Sequence, residues 1–109
     1  MLTAPLVRWF WDHYCDRAQR AEPTATPLRG RWDGLPPAIV VTAEFDPLRD
    51  EGVAYAKALR AAGVPVEHLP ARGHTHTSLT MVGVVLSGAR VRGEIALRLG
   101  VMLREPVEV

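Results

Sequence analysis

Apolar positions gather into short separate groups along the chain, and each group has its own period. In residues 4–17, APLVRWFWDHYCDR, Leu6, Phe10 and Tyr14 recur four apart, with Trp9 and Trp11 flanking them. That spacing predicts an aromatic helix. Residues 22–37 carry Pro23, Pro27, Pro36 and Pro37 together with Gly30 and Gly34, so an irregular connection is expected there. The run AIVVTA, residues 38–43, is apolar and rich in β-branched side chains. It reads as a strand buried on both faces, the habit of parallel sheets. Residues 51–62 place Val53, Ala56, Leu59 and Ala62 on one helical face. Asp50 stands where an N-cap should, Glu51 falls in the first turn, and Gly63 is a natural stop. Residues 64–69, VPVEHL, alternate as a second strand, with Pro65 suited to its first turn or to an unpaired edge. Residues 79–86, LTMVGVVL, read as a short helix. Residues 89–104 form an amphipathic helix striped by Val91, Ile95, Leu99 and Met102.

Strand, helix, strand in the middle of the chain predicts a parallel pair, because a helix of about a dozen residues carries the chain back to its starting end. Both strands then finish on the same sheet edge, where open α/β sheets place their ligand crevices. Asp46 leaves the first strand there. His74 and His76 follow the second, in the loop RGHTHTS. A carboxylate that holds one imidazole nitrogen makes the other nitrogen a better base. Those residue types at one edge therefore suit an acid–base pair, with either histidine as the base. They equally suit a solvated loop histidine and a turn aspartate before Pro47.

Composition narrows the picture. The chain has 109 residues, enough for one small domain. Apolar residues make up 48% and charged residues 23%, which is ordinary globular usage. A net charge of +1 gives no electrostatic reason to expect a nucleic acid or an anionic membrane surface as a partner. No apolar run has the roughly 20 residues of a membrane span. The single Cys15 excludes an internal disulfide, fits a reducing compartment, and supports a cytoplasmic expectation. The aromatic helix serves either as core packing or as a pocket wall.

A run of motifs adds a specific resemblance. These are Trp9-Phe10-Trp11-Asp12-His13-Tyr14, Leu35-Pro36-Pro37-Ala38, Val41-Thr42-Ala43-Glu44-Phe45 and, most sharply, Asp46-Pro47-Leu48-Arg49-Asp50-Glu51-Gly52. With them the chain resembles the C-terminal part of an α/β-hydrolase of the hormone-sensitive-lipase-like carboxylesterase family. The resemblance implies a partial α/β-hydrolase domain over 1–109. Residues 1–21 would be its aromatic helix region, 22–37 its connection, and 38–109 its acid- and base-bearing strands and helices. It implies carboxylic ester hydrolysis with no cofactor and no metal. It assigns the triad acid to Asp46 and the base to His76, through Gly73-His74-Thr75-His76. His74 is the alternative base, since Thr77-Ser78 follows where the family often has Gly-Phe.

The same resemblance demands a serine in Gly-x-Ser-x-Gly. Ser78 and Ser87 are the only serines, and neither is flanked that way. The glycine-rich oxyanion loop is missing too. The expectation is therefore an acid-and-base piece that is inactive alone and acts on a small ester when complemented by an N-terminal part. The alternative is a non-catalytic module that binds a partner through an open sheet edge. Self-association through that edge is also expected. Cys15 as an independent nucleophile is disfavoured, because the end of a helix favours cations over a thiolate.

Overall fold

The computed structural model describes residues 1–104. Its centre is strand β1 (Ala38–Phe45), helix α2 (Arg49–Ala61) and strand β2 (Val66–Thr75). The strands pair in parallel, from Ala38 opposite Val66 to Ala43 opposite Ala71, and again at Phe45 opposite Thr75. Ala43, Ala56, Leu59, Val64, Leu69 and Ala71 form the buried core. Gly52 lets α2 approach β1 closely, for a Cβ there would lie 2.9 Å from Thr42 Cγ2. Gly63 ends the helix turn at φ 81°, a conformation that glycine adopts at no steric cost.

Both strands run further than the hydrophobic pattern indicates. β1 extends beyond Ala43 to Phe45. β2 begins at Val66 rather than Val64 and continues through residues 70–75, so most of the expected histidine loop is strand. Full burial of β1 is not found either. Ala38 to Val41 are half-buried.

Asp50 is not the cap of α2. Asp46 accepts the Leu48 N–H at 2.9 Å, and the Arg49 N–H bonds to the Asp46 carbonyl at 3.1 Å. This tight turn starts the helix two residues earlier, with Leu48 in the cap position. Asp50 instead lies in the first turn, exposed and paired with Arg49 at 2.9 Å.

The flanks are simpler. Helix α1 (Ala4–Tyr14) stops before the expected residue 17, at an extended Cys15. A 3-10 turn follows at Arg17–Ala21, closed by a reciprocal bond set between Asp16 and Gln19. Another at Pro27–Arg29 interrupts the irregular connection. The helix expected over 79–86 does not form. A short 3-10 turn at Ser78–Thr80 gives way to turns around Gly83, which has φ 80°. Helix α3 (Gly88–Met102) matches the last expected helix closely. Residues 105–109 of the expected domain lie outside the described residues.

The overall shape is a slab, 41 × 39 × 18 Å, with a radius of gyration of 15.7 Å. A compact chain of this length would have about 13 Å. Accessible surface is 8041 Å², against roughly 6000 Å² expected for a folded monomer of 12.0 kDa.

Candidate active site

Asp46 and His76 meet at the C-terminal edge of the parallel pair. Asp46 Oδ2 lies 2.7 Å from His76 Nδ1. The carboxylate is held from its other oxygen by the Leu48 N–H, so both oxygens are engaged. A carboxylate only accepts, which makes His76 Nδ1 the donor and leaves the Nε2 lone pair free. Burial is unequal: the Asp46 side chain is 8% exposed and the His76 side chain 42%. An anchored, buried carboxylate thus orients an accessible imidazole.

His74 points elsewhere. It is buried, and its Nδ1 lies 2.9 Å from Ser78 Oγ. Ser78 Oγ gives its own proton to the Thr75 carbonyl at 3.0 Å and accepts the Thr75 N–H at 3.0 Å. With the hydroxyl proton used, His74 is the donor to Ser78. His74 therefore fastens the turn that carries His76. Ser78 was legible from sequence only as a serine without flanking glycines; its role as a hub needed the fold.

A cleft of about 930 Å³ opens beside the pair. Phe10, Trp11, Tyr14, Leu28 and Tyr55 contribute apolar wall, and Asp46 and His76 supply polar groups. The aromatic helix is thus a wall of this cleft, and it holds no fully buried residue. Arg20 fastens it from outside: Nη2 donates to Asp12 Oδ1 at 2.7 Å, and the guanidinium lies 5.9 Å from the Trp11 ring centre. That hydrogen bond holds the Asp12 carboxyl below its ordinary value of 3.8. At the far side of the sheet Arg98 bridges Glu67 of β2 and Glu94 of α3. Its bond to Glu67 is the main cause raising the Arg98 pKa. Cys15, half-buried, caps the end of α1 and forms no disulfide.

This parallel β-α-β unit and the helices beside it have clear counterparts among known proteins. Residues 1–80 match the family described as alpha/beta hydrolase fold. The chain belongs to that family. Its relatives include carboxylic ester hydrolases, in keeping with the hormone-sensitive-lipase-like branch. It is 38% identical over 87 residues to the ethyl acetate hydrolase of Pseudomonas putida, an alignment covering 78% of this chain and 27% of that protein. It is 43% identical over 77 residues to the carboxylesterase NlhH of Mycobacterium tuberculosis, covering 69% and 24%. Among solved structures, an esterase of Pyrobaculum calidifontis superimposes with a TM-score of 0.86 at 36% identity, over 96% of this chain and 34% of the other. The chain therefore spans about a quarter of the length of these curated relatives. Among the described residues no helix is long and apolar enough to cross a membrane.

Proposed function

We propose that this chain is the acid-and-base portion of a carboxylic ester hydrolase, with Asp46 as the acid and His76 as the base. The observation that carries the reading is the 2.7 Å contact between buried Asp46 Oδ2 and exposed His76 Nδ1, beside an apolar cleft. In this reading a serine hydroxyl from an esterase portion outside this sequence gives its proton to His76 Nε2. Its oxygen bonds to the ester carbonyl carbon. Asp46 stabilises the resulting imidazolium, which then protonates the departing alkoxide. Water repeats the cycle on the acyl-enzyme and releases the acid. The small ester substrate would lie against Phe10, Trp11 and Tyr14. Alone the chain would be inactive, since loss of a triad nucleophile costs on the order of a million-fold in rate. A cytoplasmic setting belongs to the same reading.

The test uses the chain alone and the chain co-folded with the N-terminal two-thirds of an esterase relative, with a short-chain aryl ester as substrate. The expected result is no turnover alone above a His76→Ala control, and turnover on complementation that His76→Ala abolishes. Turnover by the chain alone that survives His76→Ala would overturn the reading.

A second reading, a non-catalytic module that binds through its surface, draws on a different observation. One edge of β1 pairs with no strand among the described residues, and Trp9, Phe10, Tyr14 and Leu97 are exposed. Such edges pair readily with other chains. Self-association seen by sedimentation, together with failure of every complementation, would favour it.

A further inference from the structure

The register between β1 and β2 breaks at one place. Ala43 faces Ala71 and Phe45 faces Thr75, so Arg72, Gly73 and His74 stand opposite Glu44 alone. Bulges of this kind bend a strand and re-aim its side chains. The burial pattern records the change. Leu69 and Ala71 point inward two apart, and the next buried side chain, His74, follows three later. Without the bulge, the two-residue alternation would turn Gly73 inward and His74 outward.

A bulge leaves backbone groups without ladder partners. Glu44 supplies one. Its Oε2 accepts the Gly73 N–H at 2.6 Å, a charge-assisted bond. Gly73 has φ 75°, so the chain turns there in a conformation side chains resist. Glu44 is itself fastened, because Arg49 Nη1 donates to its carbonyl at 3.1 Å. Arg49 begins α2 three residues after Asp46. One chain of bonds thus joins the acid's turn to the base's strand.

We propose that Glu44 is a positioning residue for His76: its carboxylate holds the bulge open and so sets the imidazole on Asp46. Ser78 fixes the turn behind the histidine, and Glu44 fixes the strand in front of it. The proposal rests on the reading of Asp46 and His76 as a working pair.

The test is NMR of the labelled chain, in solution or by magic-angle spinning where it self-associates. The reporter is the far-downfield ring proton on His76 Nδ1. It should be present in the unmodified chain, retained in Glu44→Gln, which keeps an acceptor, and lost in Glu44→Ala. An unchanged signal in Glu44→Ala overturns the proposal. A second measurement needs no truncation. The Gly73 amide proton should shift as the Glu44 carboxyl titrates in the unmodified chain, and should stay flat in Glu44→Gln. A flat response in the unmodified chain also overturns the proposal. Asp46→Ala separates the two readings. Survival of the His76 signal there removes the Asp46–His76 pair, while the Gly73 titration still reports on Glu44 alone.

Discussion

Residues 38–75 and the helices on either side of them differ in how their apolar side chains are covered. In the β1–α2–β2 unit, Leu59 is 2% exposed and packs among other core residues. In α1 and α3, Trp9, Phe10 and Leu97 stay half or more exposed. The central unit owes its order to contacts within the chain, and Asp46 and His76 meet at its edge. The flanking helices carry apolar side chains that the described residues cover only in part. Stability therefore rests on the central unit more than on the flanking helices, and substitutions can separate the two regions.

The largest effect is at His76. His76→Ala in a complemented enzyme should cut kcat by about 10⁴-fold or more. In the isolated chain it removes a hydrogen-bond partner of the buried Asp46 carboxylate, so unfolding should shift by about 1–3 kcal/mol. Parallel rate and denaturation measurements check both halves. Next is the core. Leu59→Ala should cost about 2–5 kcal/mol in urea unfolding, whereas Leu97→Ala on α3 should cost less than about 0.5 kcal/mol. Equal costs would dissolve the contrast between the two regions.

Gly52→Ala should destabilise by about 1–3 kcal/mol through overpacking against Thr42. Thr42→Ser removes the clashing methyl and keeps the hydroxyl that faces His68 Nε2 at 2.8 Å. The double variant should therefore recover most of the loss, and additive losses would place the strain elsewhere. The smallest effect belongs to Asp12 on α1. Its carboxyl is held below its ordinary value, so the tie to Arg20 is fully present above pH 3.8 and lost as pH falls through the lowered value. Trp11 fluorescence should change over that acid range and stay flat in Asp12→Asn.

Much of the central unit was legible from the chain itself. AIVVTA and the face of Val53, Ala56 and Leu59 each speak for one period, and Gly63 marks the stop. Topology then brings Asp46 and the histidines to one edge before any side chain is placed. What stayed hidden depends on contacts between distant residues. An aspartate before a helix is a common cap, so the sequence points to Asp50 as the start of α2. The turn built by Asp46 took that place. Gly73 read as a loop residue, and only the partner strand shows that it sits in a bulge bonded to Glu44. Glu44 did leave a trace, as a charged residue interrupting an apolar strand. The run LTMVGVVL has the hydropathy of a helix and exposes Met81, Val82, Val84 and Leu86 instead, since Gly83 turns the chain away. The resemblance names His76 with His74 as the alternative, and which ring meets Asp46 is seen only in the orientation of each.

The unequal exposure of those two rings has a consequence for chemical labelling. An imidazole-acylating reagent such as diethyl pyrocarbonate attacks an unprotonated, accessible ring nitrogen. His76 offers a free Nε2 on a side chain 42% exposed, while His74 is only 4% exposed. The two lie in one short peptide, so a single digest and mass measurement reads both. His13 on α1, exposed and with Nδ1 near the Trp9 carbonyl at 2.8 Å, serves as an internal reference. In the folded chain the added mass should fall on His13 and His76 and spare His74. In urea the modification should reach His74 as well, which turns a two-residue interval into a gauge of whether the sheet edge is intact.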